Sequence, residues 1–435
     1  MKIGAISLGC DKNRVDSEKM LARLAEAGHT VVSSEEEADV IIVNTCAFIK
    51  SAKEESIDEI LGAVALKARE GSKRVIVTGC LSERYKEELE SGFPEVDAFL
   101  GVADYDGIVD AVNAVERGER FARREGKDAF FSRRMLTTPA HYAYLKIADG
   151  CDNHCTYCAI PSIRGRYRSE RMDDLLKEAA RLSDDGVKEL ILVAQDVTRY
   201  GTDIYNGPRL IELVKELCKF DFEWIRLLYL EPEMVTERLI DFVASENKVA
   251  KYMDIPLQHI DDAVLKRMNR HTDEAYTRDL VKRVKVAGIT LRSTFICGFP
   301  SESEEAFGKL KEFIGEGYID FAGFFKYSRE EGTPADRLSG HLSESVKRKR
   351  ADELTRLQTN IIHKRVLDAV GKMIEVRYED IDFDRQMFVG RTQRQAPDID
   401  SEVYFTSDKP LNVGCVYRVL VTGADGVDII GRTVE

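Results

Sequence analysis

Three cysteines crowd into one short loop, Cys151-Asp152-Asn153-His154-Cys155-Thr156-Tyr157-Cys158. Free cysteines in a core tend to be single and inert, so a CxxxCxxC run inside a polar, Asn-bearing loop reads as a metal site. Three thiolates can hold three irons of a four-iron, four-sulfur cluster, and no fourth cysteine follows at ferredoxin spacing. One iron is left open to a small molecule. The fold must place this loop at the end of a strand, because the apolar stretch Tyr142 to Ala148 leads into it.

Downstream, strand and helix patterns alternate. Apolar runs read as strands at Tyr142–Ala148, Glu189–Val193, Trp224–Leu228, Tyr252–Ile255, Thr290–Ile296 and Phe321–Tyr327. Helical patterns fill Asp173–Ser183, Leu210–Phe220, Glu233–Ala244, Asp261–Met268, Asp273–Ala287 and Glu302–Ile314. Six β–α repeats make an incomplete parallel barrel, open on one side to a large substrate. Polar residues gather just after its strands, in Gln195-Asp196, Pro256-Leu257-Gln258-His259 and Gly298-Phe299-Pro300. Active sites of α/β barrels lie on that face, so Gln195, Gln258, His259 and Phe299 are candidates to line a ligand pocket. Arg267 and Arg270 could neutralise a bound carboxylate; for at least one, a solvated helix face is the competing reading.

Residues 1–118 carry a second α/β pattern. Lys2 to Leu8 ends in Gly9-Cys10, Asp39 to Val43 in Asn44-Thr45-Cys46, and Arg74 to Thr78 in Gly79-Cys80. Helical spacing (Val15, Met20, Leu21, Leu24; Ile57, Ile60, Leu61, Val64) fills the gaps. The alternation implies a parallel sheet, whose ligands bind beyond the carboxyl ends of the strands. Cys10, Cys46 and Cys80 recur one strand–helix unit apart at that edge and make a second three-thiolate site. The alternative, three separately buried cysteines, does not explain why each falls at the same point of its repeat. Gly9 and Gly79 suit close approach of backbone to a cluster.

Residues 119–140 read as a charged, solvated linker containing Arg123-Arg124-Glu125-Gly126-Lys127, and 141–369 as the barrel domain. A long amphipathic helix from Ser343 to Val366 closes the barrel or packs on it. Residues 370–435 change to short β runs (Met373–Tyr378, Met387–Arg391, Val416–Val421, Asp428–Arg432) between turns, a small antiparallel β-barrel. Residues 371–435 hold 8 Lys and Arg against 12 Asp and Glu, where an RNA-gripping barrel would be basic. The whole chain, at 435 residues and a net charge of −13, argues against backbone-driven nucleic-acid binding and suits a basic protein partner. No apolar run approaches the roughly 18 residues of a membrane span. Met1-Lys2-Ile3-Gly4 runs into a strand instead of a secretory segment. The expected compartment is the cytoplasm, where nine cysteines serve as ligands or catalysts more often than as disulfides.

Cysteines on an N-terminal α/β domain, CxxxCxxC on a six-unit barrel and a terminal β-barrel together resemble the radical S-adenosylmethionine (SAM) methylthiotransferases, with a TRAM-like terminal domain. The likeness covers nearly the whole chain. It rests on Ser7-Leu8-Gly9-Cys10, Val43-Asn44-Thr45-Cys46-Ala47-Phe48, Val77-Thr78-Gly79-Cys80 and Gly150-Cys151 through Arg168-Ser169. Within the family, Cys155-Thr156-Tyr157-Cys158-Ala159-Ile160-Pro161 with Ile163-Arg164-Gly165, Gln195-Asp196 with Tyr200-Gly201, and Pro256-Leu257-Gln258-His259 look most like the RimO branch. Glu170 stands where that branch usually has Arg, and Ser301-Glu302-Ser303 where Gly-Glu-Thr is common.

The resemblance implies two [4Fe-4S] clusters, on Cys151, Cys155 and Cys158 and on Cys10, Cys46 and Cys80, with all six cysteines needed for catalysis. It implies SAM on the open iron of the first, lined by Tyr157, Gln195, Gln258, His259, Arg267 and Phe299. A radical from SAM would take a hydrogen from the β-carbon of an aspartate in small-subunit ribosomal protein S-twelve. Sulfur presented at the second cluster and methylated by a second SAM would replace it. A sulfur donor and an electron donor are then required partners. Two other readings stand beside this one. A tRNA adenosine methylthiotransferase of the MiaB type shares the chemistry and would show a basic groove beside the barrel mouth. A non-catalytic iron–sulfur protein would hold clusters without cleaving SAM, and leaves the six-unit barrel unexplained.

Overall fold

The computed structural model describes residues 1–122 and 133–434. Its first sheet is parallel throughout. The strands are β1 (Lys2–Ser7), β2 (Thr30–Val31), β3 (Val40–Thr45), β4 (Arg74–Gly79), β5 (Ala98–Phe99) and β6 (Phe121–Ala122), in the order β2-β1-β3-β4-β5-β6. Between them run α1 (Asp11–Glu26), α2 (Lys50–Glu70), α3 (Cys80–Arg84), α4 (Lys86–Gly92) and α5 (Ile108–Glu116). Side chains alternate across the sheet. Ile41, Val43, Val75 and Val77 pack with Ile60 and Ala63 of α2, while Val40, Ile42 and Ile76 pack with Leu21 and Leu24 of α1 and Val112 of α5.

The stretch expected to be a linker is partly built into the fold. Its start forms β6, paired in parallel with β5. Residues 123–132, with the charged run Arg123 to Lys127, lie outside the described residues. Its end is anchored instead of solvated. The Arg134 side chain is 1% exposed, with Nε 3.2 Å from Glu178 and 3.8 Å from Glu18. Thr137 donates its N–H and hydroxyl to the same Glu18. A buried guanidinium persists only with carboxylate partners, and residues that helical spacing leaves on polar faces supply them.

The second sheet is the open barrel. Its strands β7 (Tyr142–Lys146), β10 (Glu189–Val193), β11 (Trp224–Leu227), β12 (Val249–Asp254), β13 (Thr290–Cys297) and β14 (Phe321–Lys326) run parallel in that spatial order. A two-residue ribbon, β8 (Ala148–Asp149) with β9 (Arg168–Ser169), encloses the cysteine loop and α6 (Ile160–Arg164). Helices α7 (Met172–Asp184), α8 (Leu210–Leu217), α9 (Glu237–Ser245), α10 (Asp262–Arg267), α11 (Glu274–Val286) and α12 (Glu304–Gly315) follow the strands. The long α13 (Glu344–Leu367) packs on β14 and α12. Along β7, Ala143 and Leu145 face the outer helices, while Tyr142 and Tyr144 face inward with Ile191, Val193 and Tyr252. A complete eight-stranded barrel fills its interior with its own side chains. Here Val15 from α1 and Ala396 from the terminal domain join the inward-facing residues.

The terminal domain is a closed five-stranded barrel of β15 (Met373–Asp382), β16 (Met387–Arg391), β17 (Val403–Thr406), β18 (Val416–Asp425) and β19 (Asp428–Thr433). Its pairings are antiparallel except β17 with β19, which is parallel. It docks at the amino ends of the large barrel's strands. Arg391 binds Glu189 at the start of β10, Arg377 binds Glu223 and lies over the Trp224 ring, and Glu379 meets His141 just before β7. Tyr252 donates its hydroxyl to Asp400 at 2.7 Å inside the bowl. The mouth opposite the cysteine loop is thereby closed. Among the described residues no helix is long and apolar enough to cross a membrane.

Candidate active site

Strands β1, β3 and β4 are neighbours, with Ser7 opposite Asn44 and Thr45 opposite Gly79. Cys10 caps α1, Cys46 follows β3, and Cys80 opens α3. All three therefore meet at one sheet edge. A Cβ on Gly9 (φ 88°) would lie 2.8 Å from Cys46 Cβ, and one on Gly79 (φ 97°) would lie 2.4 Å from Asn44 Oδ1 and 2.5 Å from Thr45 O. The close approach expected toward a cluster is thus made toward the neighbouring cysteine-bearing turns. Gly79→Ala is expected to destabilise the protein by about 1–3 kcal/mol through strain at that φ. Denaturant unfolding together with iron content of the N-terminal site would check it.

Asn13 pins this edge. Its amide donates to Leu8 O at 3.0 Å and Thr45 O at 2.9 Å, and its Oδ1 faces Cys80 Sγ at 3.6 Å. Burial pushes the Cys46 thiol up, with Cys10 adding to the rise. It pushes Cys80 up to about 12, with Arg164 pulling down and Cys10 and Cys46 pushing up. These thiols feel one another and resist ionising alone. Thiolate-binding iron, which displaces the proton, relieves that cost.

The second trio, Cys151, Cys155 and Cys158, is partly buried on its loop. Thr156 fixes the loop, donating its N–H to Met268 O at 3.0 Å and its hydroxyl to Arg267 O at 2.8 Å. Asn269 donates to His154 O at 3.1 Å, with both residues at positive φ. Burial pushes Cys151 up to about 11 and Cys158 to about 12, and the neighbouring thiols add to both. Arg270 donates to Cys155 Sγ at 3.6 Å while holding Glu231 at 2.7 Å and Pro256 O at 2.9 Å. Burial raises the Glu231 carboxyl to about 7 against the pull of Arg270, and Asp196 pushes the same way as burial. Among the described residues no three His, Cys, Asp or Glu side chains converge as a single metal ion would need. A cluster asks for another arrangement, thiolates spread around a core with one on each iron. Two all-thiol trios, each with a guanidinium N–H at one sulfur, fit that donor chemistry.

Comparison with known proteins agrees with this geometry. The sequence model of the Radical SAM superfamily matches residues 145–314, that of the TRAM domain 370–434, and that of the uncharacterized protein family UPF0004 2–101. The ribosomal protein uS12 methylthiotransferase RimO of Thermoanaerobacter sp. (strain X514) is 45% identical over 435 residues, covering 99% of each chain. The RimO proteins of Clostridium tetani and Acetivibrio thermocellus are also 45% identical, over 99% and 100% of this chain and 98% of theirs. The chain belongs to the RimO family. It is a radical SAM methylthiotransferase, with SAM and [4Fe-4S] clusters as its cofactors. Membership sets aside the non-catalytic reading and favours the RimO branch over MiaB. Two solved structures of the radical SAM methyltransferase TsrM from Kitasatospora setae share the fold. Their TM-scores are 0.57 and 0.56 at 14% and 13% identity, covering 77% and 83% of this chain and 76% and 88% of theirs.

Against that RimO framework, the residues expected around SAM divide. Tyr157 stacks edge-on to Phe299 at 6.5 Å, and Phe299, fully buried, packs on Tyr327 at 5.2 Å. Gln195 donates to Asp149 at 3.2 Å, and its Oε1 is buried without a hydrogen-bond partner among the described residues. Gln258 (φ 67°) makes an isolated bridge to Phe295. His259 is buried too. It is 0% exposed, its Nδ1 accepts the Asp261 N–H at 3.0 Å, and its Nε2 lies 3.6 Å from Glu302. Glu302 in turn accepts from the Gly298 and Phe299 N–H groups of the loop after β13, while His259 Nε2 is buried without a hydrogen-bond partner among the described residues. Arg267 also serves that loop, donating to Ser301 O at 3.0 Å; Arg270 is the arginine that reaches a cysteine. Ser301, where the RimO branch commonly has Gly, sits at φ 62°, a conformation Gly adopts freely. Ser303 caps α12 by accepting the Ala306 N–H, as the branch's Thr would. Glu170, the other departure, has its carboxyl raised by burial, with Lys19 and Lys146 opposing.

Sequence reasoning did not find the polar groups that join the two domains of this RimO-family chain. Asp149 of β8 and Asp16 of α1 share Lys146 and Arg164, a charge-balanced quartet buried between the trios. Burial alone would raise Asp149, and Arg164 and Lys146 overcome it, holding the carboxyl well below the usual range. At the cluster-side mouth, Tyr229 donates to Asp11 at 3.0 Å, and Lys12 Nζ lies 3.3 Å from the Tyr229 ring centroid. The available signal was the spacing of Lys12, Asn13 and Asp16 directly after Cys10, on a helix with few apolar residues.

Proposed function

We propose that this enzyme adds a methylthio group to the β-carbon of an aspartate in ribosomal protein uS12. The observation that carries this reading is near-full-length likeness to RimO proteins joined to two thiol trios across one domain boundary. Cys151, Cys155 and Cys158 hold the SAM-binding cluster, and Cys10, Cys46 and Cys80 hold the second. When bound, these groups supply hydrogen abstraction from an unactivated carbon and the sulfur that replaces the hydrogen. The chain's own residues do the placing. Arg270 and Glu231 set charge beside Cys155, Tyr157 and Phe299 form an apolar wall, and α1 with the terminal domain keeps water from the bowl.

The terminal barrel supports a basic protein partner. Docking buries Arg377 and Arg391 together with Asp400 and most of Glu379, so the solvent-facing surface keeps the acidic balance of the composition. An electron donor and a sulfur donor complete the partners, and the ribosomal substrate sets the work in the cytoplasm. The test offers anaerobically reconstituted enzyme, SAM and a strong reductant either uS12 or unmodified tRNA, read by mass spectrometry. One methylthio group replacing a hydrogen on a uS12 aspartate is the expected result. Modification of tRNA alone would transfer the enzyme to the MiaB branch.

A further inference from the structure

Arg164 reaches out of the domain that carries it. It ends α6, directly after the barrel cysteine loop, yet its guanidinium is buried in the other domain's cysteine site. Nη1 binds both oxygens of Asp149, at 3.1 and 2.9 Å. Nη2 faces three acceptors: Asn13 Oδ1 at 2.6 Å, Asp16 Oδ2 at 3.0 Å and Cys80 Sγ at 3.7 Å. Two hydrogens shared among three acceptors leave part of one for the sulfur. Asp149 is itself tied to the barrel loop, accepting the N–H of Gly150, which is bonded to Cys151. A continuous path therefore runs from Cys80 Sγ through Arg164 and Asp149 to Cys151. Lys146 bridges Asp16 and Asp149 as well, so the quartet is neutral and would hold the domains together without any contact to sulfur. The N–H aimed at Cys80 is what domain docking alone leaves unexplained.

We propose that Arg164, supplied by the barrel domain, hydrogen-bonds the Cys80 thiolate of the N-terminal cluster and raises that cluster's reduction potential. It is a positioning residue that also tunes the cluster. The inference rests on the reading that Cys10, Cys46 and Cys80 carry a cluster. A cation and an N–H at a ligating sulfur stabilise the reduced, more negative state, one of the means by which proteins set iron–sulfur potentials. Since Arg164 is carried next to the SAM-side loop, the N-terminal cluster has its full potential only while the domains are docked. Arg270 stands in the corresponding place at Cys155 and provides the internal contrast.

The test is a reductive titration of the full-length, anaerobically reconstituted protein, followed by electron paramagnetic resonance. A protein with Cys151, Cys155 and Cys158 replaced by Ala assigns the N-terminal signal, and one with Cys10, Cys46 and Cys80 replaced assigns the other. Arg164→Gln should move the N-terminal midpoint to more negative potential and shift the barrel midpoint less. Arg164→Lys, which keeps the charge and loses the fork, should give a smaller shift of the same sign. Arg270→Gln should act mainly on the barrel midpoint. Unchanged N-terminal midpoints in the Arg164 variants, at full iron and sulfide content, would overturn the inference and leave the cluster assignment standing. If Arg164→Gln does not fold, Arg164→Lys decides by the same readout. An unsubstituted protein with iron for one cluster only would overturn the cluster assignment and the inference together.

Discussion

Replacing Cys155 by Ala is expected to abolish both SAM cleavage and methylthiolation, whereas replacing Cys46 by Ala should abolish methylthiolation and leave SAM cleavage running. The two trios lie on different domains, and each is held by its own scaffold. Cys155 belongs to the loop pinned by Thr156, Asn269 and Arg270, all within the barrel. Cys46 is held at the sheet edge by Ser56, whose hydroxyl bonds its N–H and carbonyl at 2.9 Å each, and by Gly9 packed against it. Loss of one thiolate ligand therefore removes one site and spares the other's surroundings. Iron content should fall by about half in either variant, one cluster of two. High-performance chromatography of cleaved SAM and mass spectrometry of uS12 would separate the two activities. Full product from either variant contradicts that cysteine's assignment.

Much of this site was legible because its chemistry is written in spacing. CxxxCxxC after a strand needs no tertiary information, and three cysteines at one point of a repeated β–α unit need only the rule that parallel strands end on one edge. Residues that work through burial were not legible. Helix α1 shows Val15, Met20, Leu21 and Leu24 at helical spacing, and its Asn13, Asp16, Ser17 and Glu18 are buried too. The helix lies between its own sheet and β7, so a face that reads as solvent-exposed carries the ion pairs joining the domains. Arg164 was visible as part of a motif, but nothing in Ile163-Arg164-Gly165 says that the side chain crosses a domain boundary. His259 stands after a strand, as barrel pocket residues do, and only the fold shows that its imidazole is fully buried, with Nε2 3.6 Å from Glu302 more than forty residues later in the chain. Strand β17 escaped notice because Val403–Thr406 is too short to show alternation and is completed only by its partners β16 and β19.

The largest stability effect should come from Glu189, which fastens the terminal barrel to the open one. Its carboxylate is 0% exposed and is held by Arg226 Nε at 2.7 Å and Arg391 Nη2 at 2.5 Å. Burial would raise this carboxyl, and the two guanidiniums outweigh burial, so it titrates at about 2. Glu189→Gln leaves the buried Arg226 facing a neutral amide, while Arg391 keeps Glu379 at 2.7 Å. Removing one partner of a buried ion pair costs about 3–5 kcal/mol, because the remaining charge has nothing to replace the water it lost. A lower Tm, and a larger radius by solution scattering as the terminal barrel loosens, are the expected signs. The pH dependence follows from the same shift. The unfolded chain binds this proton near pH 4.3 and the folded chain only near 2, so the contribution is complete above about 4.3. It is lost as pH falls toward 2, to the extent of about 3 kcal/mol. The unsubstituted protein should therefore lose stability more steeply between pH 4.5 and 2 than Glu189→Gln, whose curve lacks this proton. Parallel acid-denaturation curves for the two proteins would show that the buried charge triad does not hold the domains together.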